Sequence, residues 1–197
     1  MNYTDGNLAL AWNPDDEPRT ELIGGKVVAM SPRPATNHNR ISWNLYGIFR
    51  DYLRGRRCEP FADGEDLYLS KTEHYIPDMM VVCDPDKIKP NGVYGAPDLV
   101  AEVLSPSTMR HDRGHKKTVY ERCGVREYWI VSPGDVSVEQ YVLEDGKFVL
   151  RDVYTLYHGY IPEDMTEEER AAVVSEFQCS LFDDLTIHLT DIFERVL

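Results

Sequence analysis

The sequence has few cysteines and no long apolar run, and both absences narrow the class of protein. The four cysteines, at positions 58, 83, 123 and 179, are scattered and form no Cys-x-x-Cys pair. This spacing argues against a structural zinc site and favours a reduced, cytoplasmic protein. Apolar runs are far shorter than a membrane span, and the N-terminus shows no signal-peptide pattern, so no membrane association is expected. Fixed-period repeats and low-complexity tracts are also missing.

Positive charge is scarce as well, because 34 acidic residues outnumber 21 lysines and arginines and the formal net charge is −13. For the chain as a whole, this argues against a nucleic-acid partner. The cations are clustered, however, with six arginines between 33 and 57 and four cations between 110 and 117, whereas ten acids follow residue 158. Such clusters are usually solvated faces. The alternative is a surface that contacts the nucleic-acid backbone, for which the candidates are Arg54, Arg56, Arg57, Arg110 and Arg113.

Hydrophobic periodicity predicts helices alternating with strands in a chain of 197 residues, a length typical of one domain. The predicted elements are a β-hairpin at 20–30, a helix at 37–54, strands at 59–70, 74–84 and 98–105, a helix at 112–123, three further strands, and a short acidic helix at 162–177. This order indicates an α/β or α+β fold in which helices flank a mixed central sheet.

Two carboxylates interrupt apolar runs that otherwise read as buried strands. Glu102 lies inside the run 99–104, and Asp78 stands at the start of the run 79–82. A carboxylate in such a place is destabilising unless it has a partner. If the two strands are neighbours, both acids project toward the same end of the sheet.

A lysine on the following helix is the candidate partner. At about 100° per residue, Lys116 shares a helix face with Val119, Tyr120 and Cys123, whereas Lys117 lies on the outer side. Because that shared face is apolar, Lys116 is predicted to point inward. Two acids and a lysine in one pocket suit hydrolysis that depends on a divalent metal. On spacing alone, a structural Asp–Lys–Glu ion-pair cluster explains the same three residues equally well.

The stretch "PDMMVV…GAPDLVAEVLSPSTMRHDRGHKKTVYERCGVREYWIVSP", with "ELIGGKVVAMSPRPATNH" upstream, resembles the Uma-type family, which is assigned to restriction endonucleases of the PD-(D/E)XK nuclease superfamily. The resemblance covers about residues 20–158. It implies a restriction-endonuclease-like core, an N-terminal β-hairpin, extra C-terminal strands and Mg²⁺- or Mn²⁺-dependent cleavage of nucleic acid, with DNA as the expected substrate. The segment 160–177 then reads as an acidic helical insertion in a single domain spanning 1–197.

The resemblance also assigns roles to individual residues. Asp78 and Glu102 become catalytic metal ligands, and Lys116 becomes the catalytic lysine, because Leu104 occupies the position where the superfamily pattern has its lysine. His38 and Glu21 match the family pattern too. His38 is expected to line the site, to bind phosphate or to cap the first helix. Glu21 is expected to be an outer metal ligand or a surface acid of the hairpin.

Two further acids have structural explanations, and the function has competing interpretations. Asp98 is expected to be a turn residue and Asp112 a helix N-cap.

The main interpretation is a metal-dependent endonuclease, which pairs as a homodimer by analogy with enzymes that cut duplexes. The first alternative is a binding module of the same fold with a degenerate site. The second is a protein-interaction factor that docks through its acidic C-terminal surface.

Overall fold

Two mixed six-stranded β-sheets carry the candidate residues. The computed structural model describes residues 19–30, 34–156, 165–168 and 174–196. The central sheet contains, in spatial order, β12 (Lys147–Thr155), β11 (Ser137–Glu144), β10 (Glu127–Ser132), β9 (Leu99–Val103), β6 (Met79–Val82) and β3 (Glu59–Ala62). The outer sheet contains β2 (Lys26–Ala29), β1 (Thr20–Ile23), β5 (Glu73–Tyr75), β4 (Leu67–Ser70), β8 (Gly92–Tyr94) and β7 (Ile88–Lys89). The predicted fold class and the N-terminal hairpin, β1–β2, are confirmed.

The first helix, α1 (Thr36–Leu53), covers one face of the central sheet. Its inward stripe, Ile41, Leu45, Phe49 and Leu53, recurs every four residues and is buried against the sheet together with Trp129. The helix ends at Leu53, and Gly55 follows its C-cap with a positive φ of 76°, which is unfavourable for other residues. On the opposite face, the outer sheet and the helix that contains Tyr120 enclose a second core.

The central strands β9 and β10 run parallel, whereas β6 is antiparallel to β9. Every residue of β9 and β10 is buried, including Glu102 in the middle of β9. Parallel strands covered on both faces are expected to be continuously apolar. Glu102 is therefore an exception that needs a partner, as the sequence indicates.

Two strands predicted as continuous are each divided between the sheets. The segment 59–70 leaves the central sheet after β3, turns at Gly64 and enters the outer sheet as β4. The segment 74–84 similarly forms β5 and then β6, and the break falls at residues 76–78. Pro77 in this break has no N–H to donate to a strand ladder. The break places Asp78 at the junction of the two sheets.

The second predicted helix begins earlier than expected and is irregular. It comprises α2 (Met109–His111), a π-helical segment (Asp112–Lys116) and α3 (Lys117–Cys123), and it ends at Gly124 with a φ of 89°. Asp112 therefore lies inside the helical region, and its prediction as an N-cap is wrong.

The C-terminal part adds a small antiparallel pair, β13 (Glu176–Gln178) and β14 (Thr186–His188), followed by α4 (Leu189–Ile192). The predicted acidic helix at 162–177 falls mostly outside the described residues. Where it can be compared, positions 167 and 168 are helical, but Glu176 and Phe177 belong to β13, so the predicted C-terminal end of this helix is wrong.

Two of the cysteines form a disulfide bond, Cys58–Cys83, so the prediction that all four are reduced is wrong for this pair. The bond arises from strand pairing, because Glu59 faces Val82 across β3 and β6 and the two cysteines come next on either side. Cys123 and Cys179 carry free thiols. Within the described ranges, no helix is long and apolar enough to cross a membrane.

Candidate functional site

Asp78 is held at the junction of the two sheets by contacts from β9 and α1. Its Oδ2 accepts a hydrogen bond of 2.7 Å from the Val103 N–H and lies 3.3 Å from His38 Nε2. The Ser42 hydroxyl donates to the Asp78 backbone carbonyl at 2.7 Å. These contacts fix the Asp78 carboxylate at the carboxyl end of β9, where Val103 directly follows Glu102.

Glu102 has two donors to one of its oxygens. Lys116 Nζ lies 3.2 Å and the Tyr120 hydroxyl 2.7 Å from Glu102 Oε1. The residue is only 2 % exposed. Because a buried carboxylate is destabilising unless it is paired, this lysine and this hydroxyl explain how β9 tolerates the charge.

Lys116, and not Lys117, points into the interior, as its position on the helix predicts. Besides Glu102, its Nζ lies 2.9 Å from Glu21 Oε1 and 3.6 Å from Asp112 Oδ1. Lys117 instead places its Nζ 3.4 Å from the centroid of the Tyr141 ring. The ammonium of Lys116 is thus shared by three carboxylates, each supplied by a different element.

Glu21 and Asp112 occupy places that differ from the simplest expectation. Glu21 is buried rather than a surface acid of the hairpin, and its Oε1 also accepts a hydrogen bond of 3.1 Å from the Ile76 N–H. Asp112 is 1 % exposed, and its Oδ1 has no hydrogen-bond partner among the described residues. The spacing of four between Asp112 and Lys116 could have revealed this pairing, since such residues share a helix face.

We call the five residues Glu21, Asp78, Glu102, Asp112 and Lys116 the carboxylate–lysine cluster. They line a cavity of about 340 Å³ between the hairpin, β9 and the π-helical segment, and His38 lines it as well. We refer to this space as the carboxylate cavity. The structure therefore brings together all three predicted catalytic residues and both predicted site-lining residues. Asp98 lies apart, where it accepts a hydrogen bond of 2.8 Å from the Cys83 N–H, in keeping with a structural role.

Arg19 and Asp63 also line the carboxylate cavity, and neither was singled out from the sequence. The Arg19 guanidinium donates two hydrogen bonds, of 2.7 Å and 3.4 Å, to the two carboxylate oxygens of Asp63. Alternation along a strand could have pointed to Arg19, because it precedes Glu21 by two residues and so shares its face. The guanidinium adds a half-exposed positive group to the cavity wall.

None of the five arginines proposed as backbone contacts lines the carboxylate cavity. Arg54 follows His38 by 16 residues of α1, which corresponds to about 24 Å of helix rise. Arg54 and Arg56 pair with Asp51 and Asp184, each at 3.0 Å. The C-terminal arginines of the cluster at 33–57 therefore lie away from the carboxylate cavity, and their contact with the nucleic-acid backbone stays a prediction.

In the second basic cluster, Arg113 pairs with Glu139 on β11 and Arg110 is exposed on α2. From this cluster, only His111, Asp112 and Lys116 reach the carboxylate cavity.

The carboxylate–lysine cluster holds more negative charge than its lysine can neutralise. Burial raises the pKa of Glu102 well above its usual range; Lys116 opposes this rise, and the carboxylates of Asp112, Asp78 and Glu21 add to it. Burial likewise raises the pKa of Asp112, against the effect of Lys116. Burial lowers the pKa of Lys116, but its three acidic neighbours outweigh that effect and hold the pKa well above its usual value.

The neighbouring carboxylates also change the pKa of His38. Burial lowers its pKa, but the hydrogen bond and the charge of Asp78 outweigh burial, so the pKa is raised overall.

The donor set of the cluster fits a hard divalent cation. Four carboxylates supply the oxygen ligands that Mg²⁺ prefers, and Mg²⁺ commonly uses only one or two of them and keeps several waters. Asp112 Oδ1 has Lys116 Nζ at 3.6 Å but accepts no hydrogen bond from the described residues, so it is a buried acceptor that a cation or its water would satisfy. In the part of the chain that the structure describes, however, no group of three or more His, Cys, Asp or Glu side chains is arranged to hold an ion by itself.

The stability of the metal-free protein is expected to fall as pH rises. Glu102 and Asp112 have pKa values raised above their ordinary 4.5 and 3.8, so the folded state binds their protons more tightly than the unfolded chain does. Their contribution is therefore largest below those ordinary values and is lost as pH rises through the raised values. The raised pKa of Lys116 adds stability that stays constant below its ordinary 10.5.

Thermal melts in EDTA from pH 4 upward would measure this loss. Excess Mg²⁺ should flatten the profile above neutrality, because a bound cation offsets the ionised carboxylates. A melting temperature in EDTA that rises with pH over the same range would contradict the electrostatic argument.

Comparison with known proteins assigns the chain to a family. A family model described as "Uma2: Putative restriction endonuclease" matches residues 8–174. The protein slr1290 of Synechocystis sp. is 33% identical over 138 residues, which cover 69% of this chain and 72% of that protein. The protein sll1609 of the same organism is 30% identical over 127 residues, covering 62% and 71%.

The fold also has a solved counterpart. A crystal structure from Anabaena variabilis, described as a putative nuclease belonging to DUF820, superposes with a TM-score of 0.67 at 19% identity and covers 94% of this chain and 95% of that one. At this identity the likeness concerns the fold. The match of the family model to most of the sequence establishes that the chain belongs to the Uma2 family.

Proposed function

We propose that the protein is a nuclease that depends on Mg²⁺ or Mn²⁺ and hydrolyses phosphodiester bonds of nucleic acid, with DNA as the preferred candidate. The observation that carries this proposal is the excess of buried carboxylates around one lysine in a cavity. Membership of the Uma2 family, described as restriction endonucleases, supports it. A purely structural ion-pair cluster would be expected to balance its charges, whereas here four carboxylates surround one lysine, and Asp112 Oδ1 accepts no hydrogen bond from the described residues.

In this proposal, Asp78 and Glu102 hold the metal through their carboxylate oxygens. When bound, such an ion polarises a phosphodiester and lowers the pKa of a coordinated water. The Val103 N–H and His38 keep the Asp78 carboxylate in place. Because Val103 lies on a strand and His38 on a helix, no loop has to move to hold the Asp78 carboxylate in place.

Lys116 acts on the charge that develops during hydrolysis. Its raised pKa keeps the ammonium protonated throughout the physiological range. A fixed positive group in a water-poor cavity stabilises the additional negative charge on the phosphorus oxygens more strongly than it would in water. Glu21 and Asp112 lie 2.9 Å and 3.6 Å from the ammonium and act as positioning residues.

Metal binding can be tested separately from cleavage. Mn²⁺ should raise the melting temperature of the unmodified protein, because an ion that binds only the folded state stabilises it. Asp78→Asn should remove most of this rise and should also abolish cleavage of a plasmid in Mn²⁺. The matched control is Asp98→Asn, which changes an acid outside the cavity and should keep both properties. An equal response of the two variants to Mn²⁺ would count against Asp78 as a ligand.

Arg19, the half-exposed cation on the wall of the carboxylate cavity, is a candidate contact for a backbone phosphate of the bound nucleic acid. Arg19→Ala should reduce the slope of log K against log salt for binding in Ca²⁺ by about 0.9, the value for one phosphate contact on duplex DNA. Arg57→Ala is the matched control; Arg57 lies beyond the far end of α1, and its loss should leave the slope unchanged. Equal slopes for the two variants would remove Arg19 from the interface.

The alternative function is a nucleic-acid-binding module that has lost catalysis. The absence of a ready-made group of three ligands among the described residues, together with a lysine already bound to Glu102, favours this reading. Such a module would bind nucleic acid equally well in EDTA and in Ca²⁺ and would show no melting response to Mn²⁺. The further alternative, docking through the acidic segment 160–177, concerns residues that lie mostly outside the described ranges.

A further inference from the structure

A second cavity, of about 690 Å³, adjoins the carboxylate cavity. The lining residues common to both cavities are Ala35, His38, Ser105 and Pro106. The second cavity, which we call the neighbouring cavity, lies where β9 and β10 end, because residues 104–106 follow β9 and residues 133–136 follow β10. The carboxyl ends of parallel strands are a common place for ligands in sheets of this kind. A ligand bound in the carboxylate cavity could therefore extend into the neighbouring cavity.

The walls of the neighbouring cavity are mostly apolar, and their charge is negative. The apolar lining comprises Leu104, Pro106, Met109, Pro133, Val136 and Val196. Asp135 supplies the charge, and the Ser132 hydroxyl donates to its Oδ2 at 2.8 Å. No lysine or arginine of the described ranges lines this cavity. A phosphate would be repelled here, whereas a flat apolar ring with N–H groups on its edge would find both packing surface and an acceptor.

The turn that closes this cavity is conformationally unusual. Val136 has a φ of 49°, in the left-handed region that β-branched residues rarely adopt. Such residues persist only where the surrounding structure holds them, and they occur often at ligand sites. Here the strained residue joins β10 to β11 and helps form the cavity wall.

We propose that the neighbouring cavity holds the sugar and base of the nucleotide next to the scissile phosphate, so that the preferred substrate is single-stranded or locally unstacked nucleic acid. The proposal rests on the proposed nuclease function. With the phosphate in the carboxylate cavity beside Asp78, Glu102 and Lys116, the adjoining base reaches the shared wall at His38 and Ser105. A base stacked in a duplex cannot enter a cavity, and taking it out of the stack is least costly in a single strand.

Full-length protein in Ca²⁺, which is chosen to favour binding over cleavage, provides the test. Anisotropy would compare a labelled single-stranded oligonucleotide with its duplex, and 2-aminopurine placed at successive positions would report a base leaving the stack. Gly134→Leu adds a side chain to the cavity lining at a position where a Cβ meets nothing within 4 Å. Gly47→Leu is the matched control on α1, where the Cβ is equally free. Met109→Ala, which removes one wall side chain, provides a second variant.

The single strand should bind more tightly than the duplex, with a 2-aminopurine signal at one position. Gly134→Leu and Met109→Ala should each weaken single-strand binding by about tenfold, within the range for loss of one base contact, whereas Gly47→Leu should not. If nucleic acid is bound and cut but Gly134→Leu behaves like Gly47→Leu, the base site is overturned and the nuclease stands. Tighter binding of the duplex would also overturn it. If neither form binds at low salt, both proposals fail.

Discussion

Lys116→Met is expected to lower the free energy of unfolding by about 3–5 kcal/mol, the usual effect of removing one partner from a buried ion pair. The change leaves Glu21, Glu102 and Asp112 facing one another without their shared ammonium. Methionine retains much of the length of the lysine side chain, so packing changes little. Urea denaturation in EDTA, with the slope checked for two-state behaviour, would measure the loss.

Lys117→Met is the matched control, since Lys117 is half-exposed and packs on Tyr141. Lys117→Met should lower the free energy of unfolding by no more than about 1 kcal/mol, as expected for a partly exposed cation–π contact. In the Lys116→Met protein, Mn²⁺ should restore more stability than it adds to the unmodified chain, because the cation meets three uncompensated carboxylates. Equal losses for the two lysines would mean that the cluster has no special electrostatic role.

Glu102→Gln should lower the rate of metal-dependent cleavage by about 10²-fold or more, the range seen when a group that stabilises the transition state is removed. In EDTA, the melting temperature should be unchanged or higher. The raised pKa of Glu102, caused by burial and by the neighbouring acids, means that its ionised form is disfavoured in the folded state, and an uncharged isostere avoids this cost while still accepting from the Tyr120 hydroxyl.

A second buried glutamate separates a chemical effect from a structural one. Glu127 on β10 accepts hydrogen bonds from Trp129 and Gln140 on one oxygen and from the Leu181 N–H on the other, and it does not line the carboxylate cavity. Glu127→Gln places an amide group against these donors, so it should lower the melting temperature while leaving the cleavage rate of the folded fraction unchanged. The opposite pattern, with an unfolded Glu102→Gln protein that is insensitive to metal, would establish a purely structural cluster.

The core of the candidate site could be identified from the sequence because its residues conflict with their surroundings. Asp78 and Glu102 are charged within apolar strands, and Lys116 is charged on an apolar helix face. Each conflict requires a partner, so the three were expected to lie together, and the structure places them around one cavity. The mixed sheet and its flanking helices followed from periodicity in the same way.

Other features depend on long-range pairing, which a single sequence does not show. The disulfide between Cys58 and Cys83 requires β3 to lie beside β6, and the division of 59–70 between two sheets requires both sheets to exist. Asp112 and Arg19 are charged residues in polar stretches, and only their spacing from Lys116 and Glu21, two residues already singled out, sets them apart from surface residues. Their burial or position at the cavity becomes visible only when the hairpin and the π-helical segment meet.

One oxygen of Glu21 contacts both a backbone amide and Lys116, so exchange of that amide proton can report whether the site is assembled. Because Glu21 Oε1 accepts from both the Ile76 amide and Lys116, separation of β1 from β5 would free both donors at once while the central sheet stayed intact. The exchange of the Ile76 amide proton with deuterium therefore measures how often the lysine loses its outer anchor. Local openings of this kind occur far more often than global unfolding. In the proposed nuclease, docking of the hairpin would thus set the fraction of molecules with an assembled site, and a peptide spanning 19–30, supplied to a chain that lacks it, could restore that fraction.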